Sequence, residues 1–137
     1  MRRRTSRESA LKVLYAWEFT GADPNDLVYY FTDEEEFCVS KPDEFFYQII
    51  QGVLEFQSEL DAAIGDHAME WQFQRISAVD RNILRIAAYE LMFLQDTPVA
   101  VIINEAIEIT KIYGSEESFR FVNGVLDKIK PKEILDV

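Results

Sequence analysis

Apolar residues recur along this chain at spacings of three and four, the period of a helix that buries one face. Between Ser6 and Thr20 the pattern runs through Ala10, Leu11, Val13, Leu14 and Trp17. Thr5 and Glu8 stand before it as a capping box, and Gly21 is placed to close it in the left-handed conformation. Asp23-Pro24 offers a cap and a first-turn proline for a short helix to about Phe31. The acidic run at 33–36 reads as a solvated loop or a frayed helix end, and Pro42 marks a new start. From Asp43 to about Ile64 one helix is predicted, with Phe46, Ile49, Ile50, Val53, Leu54, Leu60 and Ile64 in register; Gly65-Asp66-His67 reads as a second acidic loop.

The second half repeats the pattern more plainly. Ser77 and Asp80 form a capping-box-like pair before a helix to about Leu94, with Ile83, Ile86, Ala87, Glu90, Leu91 and Leu94 as its inward stripe. Thr97-Pro98 opens the next helix, with Val99, Ile102, Ile103, Ala106, Ile107 and Thr110 on one face. The β-branched residues there would suit a strand, but the three-and-four spacing and the cap decide for helix. Gly114 ends it, Ser115 caps a last helix to about Ile129, and Lys130-Pro131 stops that one. With no alternating run, hairpin signal or internal repeat, the fold class is all-α: a single compact bundle of about six or seven helices. It forms one domain over residues 1–137 with a basic arm at 1–7.

Charge changes the picture because it is unevenly spread. The net charge of −11 argues at first against nucleic acid. Yet residues 1–12 hold five bases and one acid, whereas residues 13–74 hold one base and 14 acids. A basic arm on an acidic body suits a polyanion partner; a solvated terminus is the equally weighted alternative. No apolar run approaches the roughly 20 residues needed to span a bilayer, and the arginine-rich start has no apolar stretch behind it, so a cytoplasmic protein is expected. One cysteine, Cys38, fits a reducing compartment, and with one histidine, His67, it cannot build a zinc site.

Catalytic chemistry finds no foothold. There is no phosphate-binding glycine loop, no metal-binding HExxH helix and no serine elbow. Glu116 and Glu117 are placed in the first turn of a helix, where they favour the macrodipole. Glu105 and Glu108 share a helix face. Asn104 and Asn123 inside helices suggest interhelical hydrogen bonds, and Gly124 in mid-helix suggests close helix approach. No catalytic residue, metal or cofactor is expected. Binding has better candidates: Arg2, Arg3, Arg4 and Arg7 can grip phosphates, and Tyr15 and Trp17 follow on the same helix. Trp17 reads as core; Tyr15 is open between core and stacking surface.

Four segments then resemble a known family. They are RRTSRESALKVLY at 3–15, VDRNILRIAAYEL at 79–91, INEAIEITKIYG at 103–114 and FVNGVLDKI at 121–129. Their order and spacing resemble the NusB family of bacterial transcription antitermination factors, from about Arg3 to Lys130. The pattern departs mildly at Ser6, where alanine is usual, and the acidic stretch from Asp33 to Cys38 adds nothing to the match. The resemblance implies a helical RNA-binding protein without enzymatic activity. It implies pairing with NusE, which is also a small-subunit ribosomal protein, on boxA single-stranded RNA, within an RNA polymerase antitermination complex with other Nus factors. The same fold also opens certain ribosomal RNA methyltransferases, but with so few residues after the last motif that version is not expected here. By resemblance, Arg2, Arg3, Arg4, Arg7, Tyr15, Lys111, Glu117 and Phe121 belong to the RNA surface. Asp80, Arg81, Leu84 and Ala88 would face NusE, pointing away from their helix's core stripe. Monomer and homodimer both remain open, as does a purely protein-binding adaptor with an incidental arginine tail.

Overall fold

The computed structural model describes residues 3–32, 42–68, 75–94 and 96–129. At its centre lies a helix buried on every side. This is α5, Ala78–Tyr89, and each residue from 82 to 91 is buried. It touches five other helices: α1 (Arg3–Thr20), α3 (Glu44–Glu55), α4 (Gln57–His67), α6 (Val99–Tyr113) and α7 (Ser118–Ile129). The remaining helix, α2 (Pro24–Thr32), packs on α1. All seven helices contribute to one apolar core, for example through Leu14, Val28, Phe46, Leu60, Leu84, Ile102 and Leu126. The all-α class holds, and no helix among the described residues is long and apolar enough to cross a membrane.

Local signals account for several helix ends. Gly21 sits at φ 70° and its N–H reaches back to the Trp17 carbonyl at 2.8 Å, the left-handed stop that glycine favours. Asp23 Oδ1 accepts from the Asn25 N–H at 2.8 Å, just ahead of Pro24. Asp43 caps α3 by accepting from the Phe46 N–H at 2.8 Å. Ser77 caps α5 by accepting from the Asp80 N–H at 3.1 Å.

Other expectations are corrected. The helix predicted from 43 to 64 is two helices, broken at Phe56, and α4 continues through Gly65-Asp66-His67. Thr5 is not a cap, because α1 is already helical at Arg3; the described part of the arm is therefore helix rather than a loose tail. The helix after Ser77 changes to a π-helical turn over Glu90–Leu94. Glu116 and Glu117 lie in the turn before α7, not inside its first turn. Asn104 and Asn123 are exposed, so they bridge no helices in the core; the buried asparagine is Asn82, which donates to the Ala78 carbonyl at 2.8 Å. The acidic run 33–36, Cys38, Arg2 and the stop at 130–131 fall outside the described residues.

Close approach occurs at a glycine other than the one expected. A Cβ built at Gly124 meets nothing within 4 Å, whereas one at Gly52 would fall within the Tyr89 ring. Gly52→Ala is therefore expected to destabilise the fold by about 1–3 kcal/mol through overpacking. Gly124→Ala, on an exposed helix surface, should stabilise it by up to about 1 kcal/mol. Thermal unfolding of the two single variants would show opposite shifts, and equal shifts would contradict the packing.

Candidate nucleic-acid interface

Helix α1 carries a stripe that runs its whole length. Arg4, Glu8, Leu11, Tyr15 and Phe19 follow one another at three- and four-residue steps, which keeps them on one side of the helix. Its side chains meet the chain around α6 in the same order. Arg3 donates to Asp96 and Thr97 just before α6, Arg4 donates to Glu105 in its middle, and the Glu8 charge acts on Tyr113 at its end. Burial, followed by the nearby Glu8 charge, pushes the Tyr113 hydroxyl above its ordinary value.

Toward the far end of this stripe the surface turns apolar and concave. A groove of about 610 Å³ lies between Leu11, Tyr15 and Phe19 of α1 and Val79 and Tyr113 opposite. Tyr15 and Phe19 contact each other with ring centroids 4.8 Å apart, and both are exposed, Tyr15 by 41% and Phe19 by 66%. Val79 and Tyr113 also wall a second cavity of about 430 Å³, which Ser115 and Glu117 of the α6–α7 turn close together with Ser118 and Phe121 of α7. Val79 and Tyr113 thus stand between two adjoining cavities, which together form a tract in two parts. The tract brings together Tyr15, Glu117 and Phe121, three residues that the resemblance placed on the RNA surface. Lys111 is exposed near the C-terminal end of α6 and is paired at 3.4 Å with Glu108.

The arginines separate into two kinds. Arg7 is not part of an exposed arm. It is 3% exposed, and its guanidinium donates from Nε and Nη2 to the two oxygens of Glu90, each at 2.7 Å. Glu90 is 1% exposed, so this is a buried, fork-shaped ion pair. The sequence held a signal for it: a carboxylate on the inward stripe of a helix demands a cation from elsewhere in the chain. Arg3 and Arg4 are exposed and remain accessible to an anion. Arg3 also stacks on the Phe45 ring, its guanidinium carbon 4.2 Å from the centroid.

The expected partner-facing side of α5 is corrected outright. Leu84 and Ala88 are both 0% exposed, because α5 has neighbours all round and no free face at that level. Arg81 is half-buried, donating to both oxygens of Glu18 at 2.7 Å and to the Ile76 carbonyl at 2.6 Å. Burial alone would raise the Glu18 carboxyl, but the hydrogen bonds and charges of Arg81 and Arg85 outweigh it and hold Glu18 below its ordinary value. Asp80 is 7% exposed and accepts from the Ser118 hydroxyl at 2.8 Å, which ties the start of α5 to the start of α7. Its Oδ1 is buried with no hydrogen-bond partner among the described residues. A lysine at this position would bury an ammonium, so Asp80→Lys would disturb the fold before it tested any surface.

Several tract residues escaped the sequence reading: Leu11 was assigned only to the core, and Phe19, Val79 and Tyr113 were not singled out. Phe19 could have been found, since it lies one turn beyond Tyr15 on the same side. Tyr113 and Val79 could not, because their meeting depends on how α1, α5 and α6 converge.

Comparison with known proteins agrees with this architecture. The model of the NusB family matches residues 4–131. The transcription antitermination protein NusB of Bacillus subtilis (strain 168) is 45% identical over 130 residues, covering 95% of each chain. Among solved structures, T. maritima NusB superposes with a TM-score of 0.81 at 37% identity, over 94% of this chain and 90% of that one. A structure of the antitermination factors NusB and NusE in complex with double-stranded RNA superposes with a TM-score of 0.80 at 28% identity, over 93% of this chain and 94% of that one. The family match extends from Arg4, near the start of α1, past the end of α7 and so takes in all seven helices: this chain belongs to the NusB family.

Proposed function

We propose that this chain is a transcription antitermination factor that binds boxA-type single-stranded RNA together with NusE and helps RNA polymerase resist termination, notably in ribosomal RNA operons. It acts in the cytoplasm by binding and carries out no reaction. The observation that carries this reading is the pair of adjoining, aromatic-walled cavities from Tyr15 to Phe121, the first of them on the helix that begins with exposed arginines. Aromatic faces stack unpaired bases, and guanidinium groups hold the phosphates between them. The solved complex of related NusB and NusE proteins with double-stranded RNA supports NusE and RNA as partners, while the single-stranded boxA element is the finer part of the proposal. Leu84 and Ala88, being core, have no part in holding NusE.

A salt titration with a fluorescein-labelled boxA-type RNA, with and without NusE, tests the reading. With Arg7 committed to Glu90, three arm cations remain for phosphate: Arg2, Arg3 and Arg4. Three contacts on a single strand give a log–log salt slope of about −2, and alanine at both Arg3 and Arg4 should flatten it by roughly 1.4. Tight binding of NusE with no salt-dependent affinity for RNA would instead favour a protein adaptor. The same assay examines Glu117, which is exposed beside Phe121 at the tract's rim. Glu117→Asn removes a charge that repels phosphate and should tighten RNA binding; weaker binding by the folded variant would move the RNA path away from it.

A further inference from the structure

The reading above makes Arg4 a phosphate-binding group, and the structure shows what already holds it. Glu105, midway along α6, accepts from both Nε and Nη2 of Arg4 through its Oε2, the Nε contact being 2.9 Å. The carboxylate side chain is 17% exposed, while that of Arg4 is 43% exposed, so the pair sits at the boundary of the surface with the guanidinium outermost. A carboxylate engaged by Nε and Nη2 occupies an edge of the guanidinium that a phosphate would also use.

Glu105 is not required to neutralise Arg7. Its Oε1 lies 3.7 Å from Arg7 Nη1, but Arg7 is already satisfied by its two 2.7 Å bonds to Glu90. The principal partner of the Glu105 charge is therefore Arg4. Arg3 presents a contrast: its partner Asp96 stands 3.2 Å away with both side chains nearly half exposed, a pair that water and salt loosen readily. The negative field around Arg4 comes from more than Glu105, since Glu108 and Glu8 also act on it and all three raise its pKa.

We propose that Glu105 is an affinity-determining residue: its carboxylate competes with RNA phosphate for the Arg4 guanidinium, so that RNA must displace an internal anion to engage this part of the arm. The inference rests on the RNA reading and adds to it a residue that sets how firmly the arm grips. Glu105 acts through Arg4 and needs no contact with a base.

The test is a double-mutant cycle on full-length protein with a fluorescein-labelled oligouridine as probe, read by anisotropy across a salt series. Glu105→Gln keeps the shape and a hydrogen-bonding oxygen while removing the charge. It is expected to tighten binding about three- to tenfold at low salt while leaving the log–log slope, which already counts the Arg4 contact, at about −2. In the Arg4→Ala background the same substitution should change nothing. Glu105→Asp, whose shorter side chain withdraws from Arg4, should tighten binding in the same direction by a smaller factor; it carries the test if the glutamine variant folds poorly. Unchanged or weaker binding by folded Glu105 variants would overturn the proposal, and so would tightening that persists without Arg4, since that is a general charge effect. If Arg4→Ala alone leaves RNA affinity untouched, the arm reading fails and the competition fails with it. If Arg4→Ala weakens binding while the Glu105 variants have no effect, only the competition fails.

Discussion

Glu90→Ala is expected to lower the stability of the fold by about 3–5 kcal/mol, because it removes both hydrogen bonds that the buried Arg7 guanidinium makes to Glu90 and leaves it only the longer 3.7 Å pairing with Glu105. Domains of this kind are stable by only about 5–15 kcal/mol, so the loss would move the urea midpoint far down or prevent folding at ordinary temperature. Arg7→Ala should act in the same way, stranding Glu90 and removing a guanidinium that also lies 5.2 Å from the Phe45 ring centroid. Replacing both partners with apolar residues, Arg7→Met with Glu90→Leu, should recover much of the loss, since neither charge then needs to be desolvated. Urea denaturation of the two single variants and the double variant measures this directly. If Arg7→Ala kept its urea midpoint but lost RNA binding, Arg7 would belong to the exposed arm after all.

The largest effect on binding is expected at Tyr15. Base–aromatic stacking contributes about 1–3 kcal/mol per base, so Tyr15→Ala should weaken RNA binding by roughly 5- to 150-fold. Tyr15→Phe should bind nearly as well as the parent, because the stacking surface is the ring and not the hydroxyl. The fold should tolerate both, as Tyr15 is exposed on the outer side of α1. Anisotropy titrations at fixed salt, with circular dichroism as the folding control, provide the measurement. Equal losses for alanine and phenylalanine would assign the contact to the hydroxyl and remove stacking from the tract.

Helix starts and stops were legible because their causes are local. A capping side chain and the N–H it satisfies lie within three residues, as at Asp43 and Ser77, and the left-handed stop at Gly21 concerns a single backbone angle. The break at Phe56 carried no such mark: no proline stands there, and apolar spacing continues across it from Val53 to Leu60. The surroundings of α5 were illegible for a different reason. An inward stripe presumes an outward face, and a helix touched by five others has none. Leu84 and Ala88 on the supposed outer side were the clue, since apolar residues all round a helix signal full burial. The fate of Arg7 depended on Glu90, 83 positions away, a pairing that no local pattern reveals. Tyr15 and Phe121, placed by resemblance, lie on one tract, but the walls between them come from tertiary packing alone.

The continuity of α1 has a consequence for the length of RNA that can be held. Arg4 and Tyr15 are eleven residues apart on an uninterrupted helix, close to three full turns, so both project from the same side. At ~1.5 Å per residue the helix sets them about 16 Å apart along its axis. A strand whose successive nucleotides are spaced ~3.4 Å apart needs about five of them to bridge that interval. On the proposed RNA path, helix α1 would work as a ruler: a shorter oligonucleotide with stacked bases would reach the arginine end or the aromatic end, and only one of that length or longer would join the two.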